Sequence, residues 1–133
     1  MEQSSRVQAV VDYYGATDFV LRSKTQPSRA NKKGSVVYNL LGGGADELID
    51  IAKQASAKYH VTKDDPPFLV FHGEKDNTVL IDQSEAINQA YREAGLSIQF
   101  HRITEGKHGG YIFYSGANAK RLYWFVKKHT QAD

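Results

Sequence analysis

The stretch that decides the fold is Phe68–Asp76, which reads F-L-V-F-H-G-E-K-D and directly follows Pro66-Pro67. Its first part, Phe68–Phe71, is a short continuous apolar run, which is typical of a strand buried on both faces of a parallel sheet. Gly73 ends this run, and the polar residues after it predict a loop at the carboxyl end of the strand. Because ligands bind at that edge in open α/β sheets, Asp76 stands where a rigid scaffold can hold a carboxylate in place.

Strands and helices are predicted to alternate along the chain. The predicted strands are Arg6–Tyr14, Phe68–Phe71 and Ser97–Ile103. The predicted helices are 46–57, 82–94 and 118–129. Helical spacers between strands imply right-handed crossovers and a parallel sheet. We therefore predict a three-layer α/β fold, with a parallel sheet of about three strands and flanking helices, as a single domain over residues 1–133.

Local signals predict where the helices begin and end. Asp46 is a candidate N-cap, and Asp82 with Glu85 has the spacing of a capping box. Gly95 is a natural stop for the second helix. The triple glycine Gly42–Gly44 is interpreted as a flexible turn before a helix. A phosphate-binding loop would need a Lys and a Ser or Thr after its last glycine, and Ala-Asp follows here.

Composition excludes several classes of protein. With 17 basic and 15 acidic residues the net charge is +2, which is too balanced to predict binding to nucleic acid or to a membrane. There is no cysteine, hence no thiol nucleophile or disulfide framework. No apolar run approaches the ~18 residues of a spanning helix. The start lacks the blocks of a signal peptide, so we expect a cytoplasmic protein by default, although a signal removed upstream would leave the same sequence.

Asp76 and His108 are the candidate catalytic residues. Each follows a predicted strand, so both are expected at the carboxyl edge of one sheet. A carboxylate that accepts the Nδ1 proton of a histidine sets its tautomer and leaves Nε2 to act as a base. Glycines 106, 109 and 110 would let the backbone bend around the imidazole. The alternative is a loop aspartate that caps Asn77 or Thr78, together with an exposed loop histidine.

Several motifs resemble the C-terminal part of an α/β-hydrolase of the esterase/lipase group, which includes carboxylesterases. H-G-E-K-D-N-T-V (His72–Val79) is similar to the family motif that carries the triad acid, and G-K-H-G-G (Gly106–Gly110) to the turn that carries the base. V-Q-A-V-V-D-Y-Y-G-A-T-D-F (Val7–Phe19) looks like the strand and loop after the nucleophile helix. The resemblance implies that Asp76 is the triad acid and His108 the base.

The sequence departs from this family in two respects. No serine lies in a G-x-S-x-G motif, and the oxyanion-hole loop of an earlier strand is absent. Ser115 follows His108 by only a few residues, but it is better interpreted as a helix or turn residue. His72, at the end of a buried strand, is interpreted as structural. His60, His101 and His129 have no ligand-like spacing with carboxylates, so we predict no metal site, and we also predict no cofactor.

The resemblance implies a carboxylic-ester hydrolase fragment, of the serine-hydrolase type, which holds the acid and the base but no nucleophile and is inactive alone. Its substrate would be a small ester, once an N-terminal half completes the site. The unpaired apolar edge of the first strand, Val7–Asp12, predicts a homodimer or association with a separate N-terminal half. The alternative is a non-catalytic remnant of the fold that acts as a binding or oligomerisation module.

Overall fold

The computed structural model describes residues 4–130 and contains a three-stranded parallel sheet in the order β1-β2-β3. The strands are β1 (Val10–Tyr13), β2 (Phe68–Gly73) and β3 (Ile98–Ile103). The predicted α/β class with a parallel sheet and flanking helices is confirmed.

The first strand is shorter than the predicted Arg6–Tyr14. Val10 pairs with Phe68, so earlier residues would lie opposite Pro66 and Pro67, which have no N–H to donate. At the other end Tyr14 has a φ of 49°, which ends the extended conformation. The central strand is longer than predicted because it continues through His72 and Gly73.

Six helices occur in residues 4–130. They are α1 (Phe19–Thr25), α2 (Pro27–Ala30), α3 (Val36–Leu41), α4 (Ile49–Gln54), α5 (Asp82–Glu93) and α6 (Gly116–Thr130). Short 3₁₀ turns lie at Ala57–His60 and Tyr111–Phe113. The last helix thus begins two residues before the predicted Asn118.

Both predicted N-caps are wrong. The helix expected from Asp46 begins only at Ile49, after a turn in which Leu48 N–H bonds to the Gly44 carbonyl. Asp82 is the first residue of α5 and makes no capping bond to the backbone; with Glu85 it places negative charge at the positive end of the helix dipole. The predicted stop is confirmed, since α5 ends at Glu93 and Gly95 has a φ of 73°.

Alternating side chains of β2 build the two faces of the sheet. Leu69 and Phe71 pack with Phe125 of α6 on one face. Val70 packs with Ile87 of α5 on the other. All six residues of β2 are buried, which explains why its sequence is continuously apolar from Phe68 to Phe71, whereas all four residues of β1 are only half-buried. The three layers therefore share β2 as their centre.

The segment between β1 and β2 forms α1 to α4 around a separate cluster that includes Phe19, Val37 and Leu41. Asp18 caps α1 by accepting from Leu21 N at 2.9 Å. The triple glycine follows α3, with Gly42 in the left-handed conformation at a φ of 82°, which confirms the turn. These helices stand beside the loop that follows β2.

Candidate active site at the carboxyl edge of the sheet

The loops after β2 and β3 are bonded to each other. Because these strands are parallel neighbours, both loops leave the same edge of the sheet. Glu74 N donates to the Ile103 carbonyl at 3.0 Å, and Lys75 N donates to the Gly106 carbonyl at 2.9 Å. Lys75 Nζ also lies 2.5 Å from Glu105 Oε2 in an exposed ion pair. The expected meeting of the two loops is thus observed.

Asp76 is held at the start of this edge by bonds to both of its oxygens. Asp76 is 3% exposed. Oδ1 accepts from the backbone N–H groups of Thr78 and Val79 at 2.8 and 2.9 Å. Oδ2 lies 2.8 Å from His108 Nδ1. The sequence left two roles open for Asp76, as a cap of its own turn or as the partner of His108. The side chain does both, since Oδ1 caps the turn and Oδ2 reaches the histidine.

His108 presents one ring nitrogen to Asp76 and the other away from it. A carboxylate only accepts, so Nδ1 carries the proton in this contact and Nε2 is left as the acceptor. The His108 side chain is 37% exposed, and within residues 4–130 Nε2 has no hydrogen-bond partner. The following Gly109 and Gly110 have φ values of 97° and 111°, which turn the chain sharply behind the imidazole. This arrangement suits a general base.

Tyr14 is a contact of the candidate base that the sequence analysis missed. Its ring lies 4.8 Å from the His108 ring between centroids, and its hydroxyl lies 2.6 Å from that of Tyr114. This hydrogen bond, with some burial, raises the pKa of Tyr14 to about 12. Tyr14 is also the one non-glycine residue of the described chain with a positive φ. Nothing in the spacing of Tyr14 and His108 along the chain signals this contact.

His72 has the structural role expected of it. It is fully buried, and its Nε2 donates to the Val79 carbonyl at 2.8 Å, so its Nδ1 accepts from the Ser84 hydroxyl at 2.6 Å. Nε2 also lies 3.4 Å from Asp76 Oδ2. Ser84, His72 and Asp76 thus have the residue types of a catalytic triad, but Ser84 is as buried as His72 and no substrate reaches it.

Other candidates lie away from this pair. Ser115 stands just before α6, where its carbonyl accepts from Asn118 N and Ala119 N, as a turn residue would.

In the part of the chain that the structure describes, no group of three His, Cys, Asp or Glu residues is arranged to hold a metal ion. Likewise, no helix within residues 4–130 is long and apolar enough to cross a membrane.

Comparisons with known proteins find esterases of similar sequence and fold. Esterase LipC of Mycobacterium tuberculosis is 29% identical over 111 residues, which are 84% of this chain and 27% of that protein. A truncated carbohydrate esterase from gut microbiota superposes with a TM-score of 0.81 at 28% identity, over 94% of this chain and 43% of its own. A bifunctional GH43-CE protein of Bacteroides eggerthii gives 0.82 at 28% identity, over 96% of this chain and 17% of its own.

The chain thus spans less than half the length of these relatives, so it corresponds to a portion of each. Its three parallel strands and flanking helices are those of an α/β-hydrolase fold. The BD-FAE family model matches residues 1–91, which is more than half of the sequence. On that match, and with the fold of an esterase-like α/β-hydrolase fragment, the chain belongs to the BD-FAE family.

Proposed function

We propose that this chain supplies the acid and the base of a serine hydrolase that cleaves small carboxylic esters. The observation that carries the proposal is the bond between His108 Nδ1 and Asp76 Oδ2 at 2.8 Å, with Nε2 on the accessible side. The names of the esterases that the chain resembles support the same reaction. This geometry favours a hydrolase over a non-catalytic binding or oligomerisation module.

Each step follows from the tautomer that Asp76 imposes on His108. Nε2 takes the proton of a serine hydroxyl as the serine oxygen attacks the ester carbonyl carbon. The protonated ring then gives that proton to the leaving alcohol, and an acyl-enzyme remains. Water, deprotonated by the same nitrogen, attacks the acyl carbon; the bond from that carbon to the serine oxygen breaks, the serine oxygen takes the proton back from Nε2, and the acid leaves. Asp76 keeps the ring oriented and stabilises its positive charge throughout.

The attacking serine comes from outside this stretch. No serine of the chain lies in a G-x-S-x-G motif. Ser84 is fully buried, and Ser115 stands at the start of α6. The chain alone is therefore inactive in this proposal, because a base without a nucleophile gives no acyl-enzyme.

The edge of β1 and the neighbouring face of α6 are the proposed site of association. In residues 4–130, β1 pairs with β2 alone, so its other edge has no strand partner. On α6, Tyr123 is 56% exposed, and it lines a cleft with Tyr114, which is 52% exposed and whose ring lies 5.0 Å from that of Tyr13 of β1. An unpaired strand edge beside exposed aromatic side chains is a template for another chain. The occupant that completes the reaction is the portion of the hydrolase domain that carries the serine; a second copy is the alternative occupant.

The test joins this chain to the portion of the gut carbohydrate esterase that lies outside the structural match, at the boundary of that match. We expect no turnover of p-nitrophenyl acetate by the chain alone and measurable turnover by the chimera. In the chimera, His108→Ala and Asp76→Asn should each lower kcat by a factor of about 10³ or more. His60→Ala is the matched control, since His60 is exposed and distant in the chain from the site.

Two results would overturn the proposal. One is a chimera whose turnover survives His108→Ala. The other is turnover by the chain alone that a serine-directed phosphonate blocks and His108→Ala abolishes, because the nucleophile would then belong to this chain.

A further inference from the structure

A cavity of about 800 Å³ lies between the α1–α3 helices and the loop that follows β2. Four basic residues line it, namely Arg22, Arg29, Lys32 and Lys33. Within residues 4–130, no Asp or Glu lines it and none of these four forms a salt bridge. The chain as a whole carries only +2, so this concentration of uncompensated positive charge is local.

Arg22 is the buried member of this group. Its residue is 8% exposed, and its Nη2 donates to the Thr78 carbonyl at 2.8 Å. Its Nε has no hydrogen-bond partner among the described residues. Burial and the like charge of Arg29 lower the pKa of Arg22, whereas the charges of Asp76 and Asp82, neither of which forms a salt bridge with it, raise it by less. A buried cation without a paired anion is costly, and a bound anion would offset that cost.

The cavity adjoins the candidate catalytic pair through the turn that Asp76 caps. Thr78 and Val79 line the cavity, and both donate their backbone N–H groups to Asp76 Oδ1. A ligand held here is therefore one turn of chain away from the carboxylate that orients His108.

The remaining wall is apolar. Phe19, Val37 and Leu40 line the same cavity, so a ligand that fills it meets hydrocarbon on one side and cations on the other. Inorganic anions would leave that apolar surface uncovered. An organic acid with an apolar body matches both sides.

We propose that this cavity binds a carboxylate carried on an apolar body, and that the ester substrate of the proposed hydrolase bears such a group beside its scissile bond. The claim that the bound group is part of the ester substrate rests on the proposed function. The binding site itself does not depend on the chemistry of His108.

The test is a titration of the 133-residue chain with benzoate, monitored by NMR through the backbone amide chemical shifts of Thr78, Val79 and Gly34. Benzamide, which has the same ring and no charge, is the matched probe. We expect benzoate to give saturable shifts, and its affinity to fall as the salt concentration is raised. Benzamide should bind at least about tenfold more weakly.

The double variant Arg29→Gln/Lys32→Gln removes two exposed charges from the rim. We expect it to weaken benzoate binding by about four- to twenty-five-fold, at about two- to fivefold for each exposed charge. The control is Lys24→Gln/Lys53→Gln, which removes the same charge from exposed positions off the cavity and should leave the affinity unchanged. The amide spectrum of each variant also reports whether it is folded.

Equal binding of benzoate and benzamide, no shifts at these amides, or equal weakening in both double variants would overturn the inference. The two proposals fail separately. An inactive chimera with intact benzoate binding contradicts the hydrolase and leaves the anion site standing. A chimera that cleaves p-nitrophenyl acetate, with no benzoate binding, retains the hydrolase and removes the anion site.

Discussion

A Cβ atom on Gly73 would lie 2.2 Å from the carbonyl oxygen of Gly106. Gly73 is the last residue of β2, and Gly106 belongs to the loop after β3. Real Cβ atoms do not approach a backbone oxygen so closely, so any other residue at position 73 would push the two loops apart. The hydrogen bond between Asp76 and His108 therefore requires glycine at position 73, because glycine has no Cβ atom.

We predict that Gly73→Ala lowers the free energy of unfolding by about 3 kcal/mol, since the clash is with backbone that has no room to move. Urea denaturation measures it. Gly34→Ala is the control: its Cβ meets nothing within 4 Å, and its φ of 87° costs about 1 kcal/mol from local strain. Equal losses in the two variants would mean that the approach at Gly73 is not what matters.

We predict that Asp76 matters far more than His108 to stability. Asp76→Ala leaves the N–H groups of Thr78 and Val79 without their acceptor in a buried turn, so it should cost about 3 kcal/mol. His108→Ala removes one bond of a partly exposed ring and should cost less than about 1 kcal/mol. Denaturant curves of the two variants decide this, and similar losses would contradict it.

The hydroxyl pair at Tyr14 gives a prediction for titration. The hydrogen bond to Tyr114 is the main cause that raises the pKa of Tyr14 to about 12. Tyr114→Phe should therefore bring the pKa of Tyr14 back towards 10, as followed by NMR of tyrosine ring carbons. Tyr123→Phe, an exposed tyrosine outside this contact, should leave it at about 12. An unchanged value in Tyr114→Phe would show that burial alone raises it.

His101 should make stability depend on pH. Burial lowers its pKa from 6.5, with a smaller effect from the like charge of Arg121 on α6. Because the unfolded chain then binds the proton more readily than the folded one, the contribution of His101 is present above pH 6.5 and is lost as pH falls through the lowered pKa.

The variant His101→Phe keeps an aromatic ring against Phe71, which stacks on His101 at 5.4 Å between centroids. We expect the melting temperature of the parent chain to fall between pH 7 and pH 5 and that of His101→Phe to fall less. Identical pH profiles would remove His101 as a cause.

The open edge of β1 gives a prediction for association. Val10 N and Tyr14 N donate to the Pro67 and Phe71 carbonyls, so the N–H groups of Val11 and Tyr13 face the other edge. Val11→Pro should therefore abolish association through that edge and keep the pairing with β2. Sedimentation velocity measures this, with Val11→Ala as the control that loses packing but keeps the N–H. A parent chain that is monomeric at every concentration would rule out a second copy as the occupant of this edge.

The sequence by itself determined the parallel sheet with its alternating helices and the two loops that carry Asp76 and His108. Apolar periodicity and loop position are local properties, and they survive in any fold that buries the same strands. The resemblance added the roles of acid and base, which remain a prediction. The N-cap roles predicted for Asp46 and Asp82 were wrong, because packing decides which residue leaves helical geometry first and a capping residue type only makes it possible.

Only the tertiary structure decided the contacts between residues far apart in the chain. It placed Tyr14 against His108, which is 94 positions away along the sequence. It also placed Arg22 against the turn that Asp76 caps, 54 positions from Asp76, through a hydrogen bond to the Thr78 carbonyl. No spacing rule connects such residues, because their distance is set by which helices and strands pack together. The alternation of strands and helices was therefore readable from residue pattern alone, whereas the surroundings of the candidate catalytic pair required the packed chain.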